Sequence, residues 1–191
     1  MQRIAREMHV TTMALYRYFS SKTELIELMI DTAGGPAPNL DAISQGWRPR
    51  LEEWTRLCSS IYRDHPWFLQ ATTARRRIMG PNEVGWLNAA LAVLDDTGLS
   101  GREKHRAFLI LIGHIRSHAE FMAGNAEGPS AKRWGSVMTE VLAKHRDRYP
   151  AFVAAIHSGA FRPSQGDGLA FGLNCILDGI ESLLTKRRKQ C

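Results

Sequence analysis

The first thirty-three residues, MQRIAREMHVTTMALYRYFSSKTELIELMIDTA, constrain this chain more than any other stretch. Ile4, Ala5 and Met8 recur at helical spacing and predict a short amphipathic helix. His9-Val10-Thr11 reads as a brief turn. Val10, Leu15 and Phe19 are the expected inward residues of a second short helix. Two short helices joined by such a turn form a helix-turn-helix unit, whose second helix can enter a DNA major groove. The outward residues Thr11, Thr12, Met13, Tyr16, Arg17 and Tyr18 supply hydroxyls, a cation and flat amphipathic rings, which suit phosphates and base edges. A third helix is expected to open on a capping box at Ser21-Lys22-Thr23-Glu24. In that box the Ser21 hydroxyl accepts the Glu24 amide, and the Glu24 carboxylate bonds back to the Ser21 amide.

The run IAREMHVTTMALYRYFSSKTELIELM resembles the tetracycline-repressor family of bacterial transcriptional regulators. The resemblance rests on Ile4, Ala5, Val10, Leu15, Tyr16, Phe19, Lys22 and Leu25 at fixed spacing. The segment WRPRLEEW…HPWF…GPNE…L…TGLS is similar to the ligand domain of the tetracycline-repressor subgroup. The family places Gly in the turn where this chain has His9. A positive φ is therefore expected of His9, which is among the few non-glycine residues that visit that region. The resemblance also implies a three-helix head whose first helix precedes Met1, so the expected head is one without its first helix. It implies base-edge contacts from Thr11, Thr12, Met13, Arg17 and Tyr18, and phosphate contacts from Tyr16 and Lys22.

The charge is consistent with a polyanionic partner: net +6 with a pI near 9.5. Arg3, Arg6, Arg17 and Lys22 stand against Glu7 in the head. Arg75-Arg76-Arg77 and Lys186-Arg187-Arg188-Lys189 read better as solvated helix surfaces and ends than as sites. Cys58, Cys175 and Cys191 are widely spaced and match no metal pattern, which favours reduced thiols and a cytoplasmic protein. No unbroken run of eighteen apolar residues exists, so no membrane span is expected. There is no signal-peptide pattern. No G-x-S-x-G elbow, Walker loop, G-x-G-x-x-G or H-E-x-x-H occurs, and neither an enzyme nor a cofactor is expected.

The remainder predicts an all-α chain: a head with its connecting helix over 1–33, then a helical ligand-binding and dimerisation domain over 34–191. Gly34-Gly35-Pro36-Ala37-Pro38 marks the boundary. Further helices are expected over Trp47–Ile61, Trp67–Met79, Val84–Leu94, Arg102–Met122, Trp134–Leu142, Ala151–His157 and Leu169–Leu184. The helices around 102–122 and 169–184 carry more than one apolar face, which a two-fold partner would cover. The resembling family uses the corresponding helices for its dimer interface.

His114 and His118 lie four residues apart, but Glu120 points away from them and a metal site is not expected. A small-molecule pocket between helices is favoured instead, with Trp67, Trp86, His114, His118, Phe121 and Asn174 as contact candidates. Asp178 belongs to the same set of polar residues among apolar neighbours. The expected function is a ligand-responsive regulator, a repressor that binds a palindromic operator as a homodimer and is released by a small molecule. The alternative is a helical dimer that binds a small molecule or a protein partner without reading DNA.

Overall fold

The computed structural model describes residues 1–43, 46–73, 78–124, 137–138, 140–142, 144, 146–160 and 167–189. Their regular structure is helical throughout. The helices are α1 (Gln2–Glu7), α2 (Thr12–Tyr16), α3 (Lys22–Gly34), α4 (Trp47–Asp64), α5 (Phe68–Thr73), α6 (Pro81–Ala92), α7 (Gly101–Gly124), α8 (Pro150–His157) and α9 (Asp167–Arg188). The arginine triplet at 75–77, residues 134–136 and 139 of the helix expected over Trp134–Leu142, and Cys191 lie outside the described residues.

Helix boundaries follow their capping chemistry. His9 takes φ 53°, the only positive-φ non-glycine among the described residues, and this tight turn separates α1 from α2. The Thr11 hydroxyl accepts the Ala14 amide at 3.1 Å and starts α2. The capping box of α3 forms with one change. Ser21 Oγ accepts the Glu24 amide at 3.1 Å, but the Glu24 carboxylate reaches one residue further out, to the Ser20 amide at 2.6 Å and the Ser20 hydroxyl. α3 ends at Gly34, where Gly35 at φ 59° turns the chain.

Two expectations are corrected here. The helix expected over Trp67–Met79 is helical over Phe68–Thr73, and Ile78, Met79 and Gly80 lead extended into α6. Pro81 occupies the first turn of α6, where its missing N–H costs nothing. Val10, expected to point inward, is exposed, whereas Ala5 and Leu15 are buried.

α7 is the central strut. It packs against α4 and α9, with α5 and α6 beside it. Trp54, Leu51, Leu94, Leu111, Ile115 and Leu177 are its fully buried companions in one contiguous core. α9 is tied at its middle and at its C-terminal end. Arg48 of α4 pairs with Asp178 at 2.8 Å, and Arg187 bonds Glu103 and the Gly98 carbonyl. Although no unbroken apolar run exists, Gly168–Arg188 within α9 is long and apolar enough, by length and composition, to cross a membrane, and most of it lies outside the core.

Candidate functional site

Two regions carry functional chemistry. The first is the surface of α2. Met13 and Tyr18 are 77% and 78% exposed, and Tyr16, Arg17 and Lys22 are also exposed. Met13, Tyr16, Arg17 and Tyr18 lie on or just after a helix pinned by its Thr11 cap and its buried Leu15, and Lys22 opens α3. The Thr11 oxygen is engaged in that cap, so it sets where α2 begins as well as facing outward.

The second region is a partly open cavity of about 200 Å³ lined by α4, α5, α6 and α7 and by Gly34 at the end of α3. Its floor is aromatic. Trp54 is 1% exposed and meets Trp86 and Phe108 edge-on, at 6.1 and 5.9 Å between ring centres. Tyr62 and Phe68 meet at 86°, 5.0 Å apart. Burial raises the Cys58 thiol to about 12 and the Tyr62 hydroxyl to about 12, so both stay neutral near pH 7. Glu83 and Arg116 are the charged residues of the lining.

The cavity wall is bonded to α3. The Trp86 indole N–H is shared between the Gly34 and Gly35 carbonyls, both at 3.1 Å. The Trp54 indole donates to the Trp86 carbonyl at 3.0 Å. Asp31, 6% exposed, accepts the Glu83 amide on its carboxylate and the Asn82 side-chain amide on its carbonyl, each at 3.0 Å. The last turn of α3 is thus bonded to the cavity wall, and its other end leads to α2.

Residues 36–184 match the family described as "Tetracyclin repressor-like, C-terminal domain", and residues 1–29 match "Bacterial regulatory proteins, tetR family". The chain belongs to the tetracycline-repressor family. A relative from Streptomyces coeruleorubidus, the HTH-type transcriptional repressor DrrR1, is 33% identical over 98% of this chain and 72% of its own length. The tetracycline-repressor-family protein ActR of Streptomyces coelicolor, solved in complex with actinorhodin, superposes with a TM-score of 0.79 at 16% identity, over 96% of this chain and 87% of that one. A possible family regulator from Streptomyces coelicolor A3(2) gives a TM-score of 0.74 at 23% identity, over 95% and 88% of the two chains. These structures share the fold. As a tetracycline-repressor-family member the chain is a transcriptional regulator with a helix-turn-helix DNA-binding unit.

Of the contact candidates in this tetracycline-repressor-family chain, only Trp86 lies in the cavity wall. Trp67 stands at the outer start of α5, beside His65 and Phe68. Phe121 and Asn174 are exposed. His114 and His118 face α9: the His114 ring bonds the Leu169 carbonyl at 2.9 Å, and His118 packs near Gly168. Burial and the nearby His114 lower the His118 pKa. Asp178 pairs with Arg48, His114 with a backbone carbonyl, and Asn174 faces solvent.

The cavity residues not foreseen are Glu83 and Arg116 on the polar side, with Cys58 and Tyr62. Arg116 follows Phe108 and Ile112 at steps of four on α7, so a cation on an otherwise apolar stripe was the available signal.

Proposed function

We propose that the chain is a repressor that binds a palindromic operator as a homodimer and is released when a small molecule occupies the α4–α7 cavity. The observation that carries this reading is the bonding of one cavity wall to α3, through Trp86 to Gly34 and Gly35 and through Glu83 to Asp31. A ligand acts by binding better to the arrangement in which the two heads are misaligned for successive grooves, and by linkage DNA then weakens the ligand. DrrR1 is named as a repressor, and ActR was solved in complex with actinorhodin, which supports a small-molecule effector here as well.

The dimer in this reading forms through α7 and α9. Ile110 and Phe121 on α7 and Phe171 and Leu183 on α9 are large apolar side chains left exposed. A second copy would cover them with the same surface, and such an interface also accounts for the apolar composition of α9. Two α2 helices would then stand on one side of the dimer, about 34–36 Å apart if they enter successive major grooves. Thr12, Met13, Arg17 and Tyr18 face base edges with Thr11 at the helix start, and Tyr16 and Lys22 hold phosphates.

The test is binding of the chain to the DNA flanking its own gene, at two salt concentrations. Tight, salt-sensitive and sequence-selective binding is expected. Lys22→Ala should weaken all sequences alike and reduce the salt slope by about one, whereas Arg17→Ala should relax selectivity. Binding no better than to random DNA would overturn the operator reading and leave a helical dimer that does not read DNA.

A further inference from the structure

We propose that the cavity takes a flat aromatic molecule carrying an ionised oxygen, a carboxylate or an acidic phenol, held by Arg116. This rests on the effector reading above and specifies its ligand.

Shape comes from the walls. Trp54 is inclined to Trp86 by 63° and to Phe108 by 66°, and all three rings line the cavity. A further aromatic ring meets such walls in the edge-to-face and offset contacts that aromatic pairs prefer. Size follows from the volume. About 200 Å³ lies below the roughly 300–1,000 Å³ of sites for drug-sized ligands. One or two rings fill it.

Charge comes from the two ionic residues of the lining. The Glu83 carboxylate is engaged at the start of α6, where it accepts the Gly80 amide at 3.4 Å. Arg116 bonds the neutral Thr73 hydroxyl at 3.1 Å, and no carboxylate among the described residues pairs with it. A guanidinium has several N–H donors in a planar fork, and the Thr73 oxygen uses one of them. Arg116 is half-buried against apolar walls, where an ionised oxygen gives the strong, charge-assisted bonds that water supplies elsewhere. Arg116 and Ile112 also line a neighbouring open hollow of about 390 Å³ between α5 and α7. A ligand longer than the cavity passes Arg116 and continues there.

The experiment titrates the full chain with three probes of one shape: 2-naphthoate, 2-naphthamide and 2-naphthylmethylammonium, followed by tryptophan fluorescence and calorimetry. 2-Naphthoate is expected to bind tightest, by roughly tenfold or more over the amide. Arg116→Lys should keep that preference in part. Arg116→Gln should abolish it by weakening 2-naphthoate alone, with an unchanged melting temperature. If the wild-type chain binds the amide or the ammonium as tightly as the carboxylate, the charge assignment is overturned and the effector cavity stands. If it binds none of the three, the effector reading falls with it. The wild-type comparison decides the matter even where a variant fails to fold.

Discussion

The Asp31 carboxylate accepts the Glu83 backbone amide at 3.0 Å and so caps α6 from the end of α3, across 52 residues of sequence. The residue in the N-cap position of α6 is Gly80, which has no side chain to offer. Its bareness is also what admits Asp31: a Cβ on Gly80 would lie 2.2 Å from the Asp31 carboxyl carbon. We predict that Asp31→Ala costs about 1–2 kcal/mol of stability, the usual worth of a side-chain cap. Asp31→Asn, which keeps an acceptor oxygen, should cost less. Gly80→Ala should destabilise by displacing the same carboxylate. In a DNA-release titration, Asp31→Ala should also blunt the response to ligand. A fully retained response alongside the lost stability would show that the contact is structural only.

The contact of α7 with the start of α9 depends on a second bare position. A Cβ on Gly172 would meet the His114 ring at 2.2 Å, and that ring is held by its bond to the Leu169 carbonyl. Gly172→Ala is predicted to push α9 off α7 and cost about 1–3 kcal/mol, as overpacking does. Thermal unfolding of Gly172→Ala beside the double variant Gly172→Ala/His114→Ala checks it. The second change should restore part of the loss, because it removes the ring that clashes.

The parts of this molecule that local chemistry decides are readable from its sequence. The His9 turn, the Ser21 cap and the stop at Gly34-Gly35 each depend on a few adjacent residues, and each forms. The Glu24 carboxylate shows the limit even there, since Ser20 and Ser21 compete for it and only geometry selects Ser20. The cavity is another matter. His114 and Arg116 sit two residues apart on α7, yet one faces α9 and the other the cavity, because the neighbours of each face come from distant sequence. Periodicity reports that a helix face is apolar, not which helix covers it. Asp31 was equally illegible as a buried carboxylate, because its reason for burial is the amide of a helix fifty residues away. The Gly-Pro start of α6 was the one clue, a helix opening without a side-chain cap of its own.

Alkali should loosen the cavity before it affects the rest. Burial lifts Cys58 from 9.0 to about 12, and burial with the neighbouring Cys58 lifts Tyr62 from 10.0 to about 12. Both folded pKa values are raised, so the unfolded chain loses these protons first. The associated stability is intact below pH 9 and declines as pH rises from 9 through 12. Denaturant midpoints measured from pH 8 to 11 should fall, and Cys58→Ala should flatten the onset near pH 9. In the native protein at pH 8, Cys58 should resist iodoacetamide and become labelled only on unfolding. Rapid native labelling of Cys58 would mean that the cavity opens far more readily than its packing indicates.

Thr55 offers the opposite kind of change. It lies in the middle of α4 with 0% exposure, and its hydroxyl finds no hydrogen-bond partner among the described residues. A buried hydroxyl without a partner forfeits its hydration and gains nothing in return. Valine replaces that hydroxyl with a methyl group of similar size and keeps the branched shape that Thr55 already fits into the helix. Thr55→Val is therefore predicted to stabilise the chain by about 1 kcal/mol, read as a higher denaturant midpoint at unchanged slope. DNA affinity should be unaltered, because Thr55 lies neither on the α2 surface nor among the residues lining the cavity. A destabilised Thr55→Val would mean that the hydroxyl is satisfied in solution, with Thr55→Ser then expected to retain more stability than Thr55→Val.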